Sequence, residues 1–267
     1  MGLKNIILLI SFVIFLIEYV LKTHKFLFLI ITCSIILFFI YFLIRNLTSK
    51  GNLDVNDFAR ILKILTVQIM ALYVYILTYY KIDKPFHNRN IYYLLILNLL
   101  IIGVFEINDV FDFDTNDNDT NNPISKTISG ILLIILALLT PKQLGIHDNI
   151  YGFKGNMIWV VVGAILLTNF YLGNRHWDDK IKYVIPVLVA MIIPLLAHLI
   201  TNNRWVLYRA VCLSIILTLL EYDTHFFYDT YEETLKKFYL TNEYSFIGLS
   251  IVSVLLLLGT RLKYSTG

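Results

Sequence analysis

The chain is a succession of apolar runs, each near the roughly 20 residues that a helix needs to cross a bilayer, separated by short polar interruptions. These windows fall at residues 3–22, 25–45, 58–80, 90–108, 124–141, 156–173, 181–200, 204–221 and 244–263. The fifth is short, and a very tight turn at residues 22–25 joins the first two. Backbone polar groups in hydrocarbon must find partners within their own segment, so the runs predict helices rather than open strands. The expected fold is all-α: a polytopic membrane helical bundle of about nine transmembrane helices. No fixed-period repeat or long linker divides the chain, so residues 1–267 read as a single membrane domain with an extra N-terminal helix pair in 1–50.

Composition supports the membrane class. Hydrophobic residues make up 58% of the 267 and the mean hydropathy is +0.71, more apolar surface than a soluble domain can hide. The expected location is integral, multi-pass and in contact with the lipid bilayer. The opening "MGLKNIILLISFVIFLIEYVLK" has no clear small-residue cleavage site and reads as a retained first helix. A formal net charge of +3 gives no argument for nucleic acid. Cys33 and Cys212 both sit in apolar runs, where they read as small hydrophobes and not as a disulfide or metal framework.

Charge placement then separates the two faces. Lys and Arg are shared between them, so the positive-inside rule casts no vote. Carboxylates are not shared. With nine helices, the connections after the second, fourth, sixth and eighth lie on one face, and they hold nearly all the Asp and Glu. The opposite face keeps only Asp83 and Asp148, with Lys154 and other cations.

Two acidic clusters at helix ends suit a hard cation. Mg²⁺ prefers oxygen ligands and is commonly held by one or two carboxylates together with substrate phosphate oxygens. In "FEINDVFDFDTNDNDTNNPISKTISG", residues 105–130, Asp109 and Asp112 are three apart and share a helix side. Beyond the eighth window Glu221, His225 and Asp229 are spaced four apart, with Asp223 off that stripe. The plainer reading is a solvated connector, for which "DTNDNDTNN" has the composition.

The first acidic stretch resembles the leading aspartate-rich motif of the UbiA superfamily of intramembrane prenyltransferases. Asn108, Asp109 and Asp112 match its core, and Pro123, Ile124, Ile128 and Ser129 its tail. Tyr151, Lys154, Gly155 and Asn156 in "YGFKGN" are similar to a second family element. The resemblance covers roughly residues 58–240. The chain departs from the family in spacing Asp223 and Asp229 six apart rather than four, and in carrying Asn122 where a basic residue is usual.

What the resemblance implies is an enzyme that ionises an isoprenyl diphosphate. Asp109, Asp112, Glu221, Asp223 and Asp229 would hold Mg²⁺, with Asp109, Asp112, Asp223 and Asp229 catalytic. Asn108, Lys126, Tyr151, Lys154 and Arg209 would bind substrate. The prenyl group would pass to a lipophilic acceptor, or fold back on itself in a terpene cyclase. Two readings compete: a transporter lined by Glu18, Lys63, Glu106 and Arg209, and a catalytically dead relative of the same fold that holds lipids or partners. Lys126 also reads as a snorkelling interfacial lysine, and Arg209 as half of a structural pair.

Overall fold

The computed structural model describes residues 55–108, 123–173, 184–201, 203–222, 237–238 and 241–265, with isolated positions at 33, 36, 37, 40 and 44. Seven helices and one hairpin occupy the described residues. They are α1 (Val55–Tyr80), α2 (Pro85–Asn108), α3 (Pro123–Leu138), β1 (Gly145–His147), β2 (Ile150–Gly152), α4 (Met157–Gly173), α5 (Val184–Thr201), α6 (Trp205–Tyr222) and α7 (Glu243–Ser265).

Local sequence sets these boundaries. Helix α1 ends at Lys81, whose φ of 51° is left-handed. The Ile82 N–H then bonds back to the Leu77 carbonyl at 2.9 Å, the pairing that closes a Schellman-type C-terminus. Pro85 and Pro123 open α2 and α3, where a missing N–H costs no helical bond. Asp148 and Asn149, with φ of 48° and 63°, turn β1 into β2 in register His147↔Ile150. Two consecutive left-handed residues suit a primed two-residue turn.

Helices α1 to α6 form a closed ring. Each packs on its successor, and α6 returns to α1. Buried Val67, Met70, Ala71, Val74 and Tyr75 make the inward stripe of α1, at the three-and-four spacing of one helix face. Asn98 donates to Thr66 Oγ1 at 3.0 Å across α1 and α2, a polar bond between otherwise apolar helices. The α2–α3 crossing is tight, because a Cβ on Gly130 would lie 2.7 Å from the Gly103 carbonyl oxygen and 2.6 Å from Ile107. Helix α7 stands outside the ring against α3 and α4. Asn169 of α4 donates to the Phe246 carbonyl at 3.0 Å and to Ser250 of α7.

The expectation of about nine transmembrane helices is corrected here. Among the described residues only Pro85–Ile107 and Glu243–Arg261 are long and apolar enough to cross a membrane. For α3 and α4 the reason is length. Helix α3 has 16 residues and α4 has 17, so at ~1.5 Å per residue they reach about 24–26 Å, short of a ~30 Å hydrocarbon core. The apolar run at 124–141 leaves the helix after Leu138 and continues into the hairpin. The windows at 3–22 and 25–45 lie outside the described residues, apart from the isolated positions. The two long helices support membrane association.

Candidate functional site

The connection between α3 and α4 crosses one end of the ring and seals it. Its hairpin contacts α1 and α6 and is held from several sides. The Tyr151 phenol is fully buried and donates to Asn88 Oδ1 at 2.6 Å, while the Tyr151 amide donates to Thr78 Oγ1 at 3.1 Å. Asn88 in turn donates to Asp83 Oδ1 at 2.9 Å, and Asp83 Oδ2 accepts the Ile146 N–H at 3.2 Å. On the far side Asn203 donates to the His147 carbonyl at 2.6 Å. His198 Nε2 meets the Gly155 carbonyl at 2.8 Å, so that nitrogen carries the proton. A Cβ at Gly152 would meet the Asn203 carbonyl oxygen at 2.6 Å, which is why the strand can lie so close to α6. Burial, then the negative charge of Asp83, pushes the Tyr151 phenol far above its usual range.

Two cavities lie on the flank where α7 meets the ring. The first, of about 200 Å³, sits between α4, α5 and α7 and is partly open. Ala164, Ile165, Met191, Leu195 and Phe246 give it an almost wholly apolar lining. The second, of about 700 Å³, lies at the hairpin end, between the first turn of α4, the chain leaving α3 and the last turns of α7. Lys142, Asn156, Thr260 and Arg261 face it beside Ile158 and Leu257.

Among the described residues, those expected to form one site fall at two ends of the ring. Asp109, Asp112, Asp223 and Asp229 lie outside the described residues. Asn108 and Glu221 fall in α2 and α6, where only their backbone is described. Lys126 is buried near the start of α3, at the end of the ring where α2 finishes. Tyr151 and Lys154 belong to the opposite, hairpin end. From Lys126 the rest of α3, to Leu138, separates the two groups by about 18 Å along the axis at ~1.5 Å per residue. Tyr151 is spent on the hairpin clamp, and Lys154 is exposed. Arg209 is buried in α6 near the hairpin end, whereas Glu106 is buried near the other.

No family model, curated protein or solved structure matches the chain.

That result and the geometry correct the functional expectation. Among the described residues no group of three or more His, Cys, Asp or Glu is placed to hold a metal ion. The expectation of Mg²⁺ held by acidic loops thus has no support, and UbiA membership, prenyl transfer and cyclisation on the same site fall with it. The motif match rested on short Asp- and Asn-rich strings, which recur easily in a chain of this composition. Sequence reasoning missed the hairpin and both cavities. "HDN" between two short apolar strings signalled the hairpin. The cavities join residues more than 80 positions apart and left no local signal.

Proposed function

We propose that the chain is a multi-pass membrane protein with a passive, lipid-binding role, which takes a segment of an acyl chain into the cavity between α4, α5 and α7. The supporting observation is that cavity's apolar lining and its partly open wall. Its surroundings agree. Large apolar side chains stand exposed on α2, α5 and α7, among them Leu97, Val104, Ile192, Leu196, Val252 and Leu256. A volume of about 200 Å³ is below the ~300–1,000 Å³ of sites that enclose a whole small ligand. It suits part of a flexible chain whose remainder stays in the bilayer.

The test is electron paramagnetic resonance of a chain-labelled phosphatidylcholine with the protein in nanodiscs, which separates immobilised from bulk lipid. Ala164→Phe fills the cavity floor and Leu249→Trp narrows its rim. The expelled methylenes return to bilayer hydrocarbon, so only packing contacts are lost, and the expected result is a smaller immobilised fraction in both variants. An unchanged immobilised fraction in both folded variants would remove the lipid-binding reading.

A further inference from the structure

The larger cavity has a chemistry of its own. Lys142 is exposed on the chain leaving α3, and half-buried Arg261 approaches from the last turns of α7. Asn156 and the first turn of α4 supply the third side. The first α4 amide bonded within the helix is that of Val160, to the Asn156 carbonyl at 3.1 Å. The N–H groups of Met157, Ile158 and Trp159 therefore precede the helical ladder and add positive potential. Among the described residues no carboxylate lines it. Asp83, on the same end of the bundle, is engaged with Asn88 and Ile146. Arg261 is fixed by donating from Nη2 to the Leu139 carbonyl at 2.6 Å, which holds its guanidinium at the cavity wall.

Depth is the second argument. The Glu243–Arg261 span has 19 residues, so Arg261 lies about 28 Å along α7 from its start, near the thickness of a hydrocarbon core. The cavity thus sits where phosphates lie in a bilayer. Below it run Leu257 and Ile158 in the wall, then the exposed apolar face of α7 at Leu255, Leu256 and Val252. Cations above and hydrocarbon below match an anionic amphiphile.

We infer that the cavity between the α3–α4 connection, the first turn of α4 and the end of α7 binds the phosphate head group of an anionic phospholipid, with Lys142 and Arg261 as its charge partners. The inference deepens the lipid-binding reading and rests on it. Lys142 hydrogen bonds and pairs with the phosphate, Arg261 offers its remaining N–H groups, and the tail lies along α7.

The experiment compares chain-labelled phosphatidylglycerol and phosphatidylcholine on the nanodisc-embedded protein, with inorganic phosphate as competitor. Each cation near the bilayer surface is worth about fivefold in affinity for an anionic lipid. The expected result is a clear preference for phosphatidylglycerol in the native chain. Lys142→Gln reduces it about fivefold, Lys142→Glu reduces it further, and inorganic phosphate leaves it unchanged. Lys142 is exposed, so neither variant threatens folding. Equal retention of both lipids in the native chain overturns the head-group assignment and leaves lipid binding intact. Loss of the preference to millimolar phosphate identifies a free-anion site and also overturns it. Immobilisation of neither lipid overturns both readings together.

Discussion

Replacing Tyr151 by Phe removes one oxygen and tests whether the hairpin is a structural seal. The Tyr151 hydroxyl bonds Asn88 Oδ1 at 2.6 Å, and Asn88 reaches Asp83, which accepts the Ile146 amide. Loss of the hydroxyl leaves the Asn88 oxygen without this donor next to a fully buried ring. Such a group costs about 1–3 kcal/mol, or roughly 2–12 °C in Tm for a chain of this size. Asn88→Ala breaks the same bond, so the double variant should lose much less than the sum of the singles. The pH dependence follows from the raised phenol. Its neutral form is favoured in the folded state, so its contribution is complete below the ordinary tyrosine value near ~10 and is lost as pH climbs toward the folded value. Thermal unfolding in nanodiscs between neutral and strongly alkaline pH reads both effects. The native chain should lose stability above about pH 10 more steeply than Tyr151→Phe. Equal melting temperatures at neutral pH, or identical alkaline slopes, would refute the clamp.

At the α2–α3 crossing, Gly130→Leu forces the helices apart, because even a Cβ would meet the Gly103 carbonyl oxygen at 2.7 Å. We expect a loss of several kcal/mol, at or above the ~1–3 kcal/mol typical of overpacking, seen as a sharply lowered Tm. Asn169→Ala removes the donor to Phe246 and Ser250 and should loosen α7 by about 1 kcal/mol. Faster proteolysis within residues 237–265, with the ring preserved, would confirm that α7 is held as an outer element.

The helices were legible because their signal is local. Six windows coincide closely with α1, α2 and α4 to α7, since a sustained apolar run of helical length bounded by polar breaks is a strong local signal. Their number and reach were not legible. Apolar composition continues past the point where the chain stops being helical, as it does after Leu138, where Leu139 and Leu144 still belong to the core but Pro141 ends any helix. Six short residues in the two strands carry too little alternation to announce a hairpin, and only the Asp148–Asn149 turn marks it.

For the site, the decisive property was which end of the ring each residue occupies, and motif matching does not measure it. Helix parity alone already set Lys154 on the face opposite the acidic loops. The structure makes that separation concrete, with Lys154 next to the start of α4 and Lys126 at the far end of α3. A phosphate drawn to the cations at the hairpin end is therefore in a different environment from anything near Asn108. Among the described residues the lining at the hairpin end offers Lys142 and Arg261 without an opposing carboxylate. Cations beside an apolar wall, with Arg261 also donating to the Leu139 carbonyl, suit an anion without an intervening metal. The proposed head-group cavity therefore lies at the hairpin end, away from Lys126 at the start of α3.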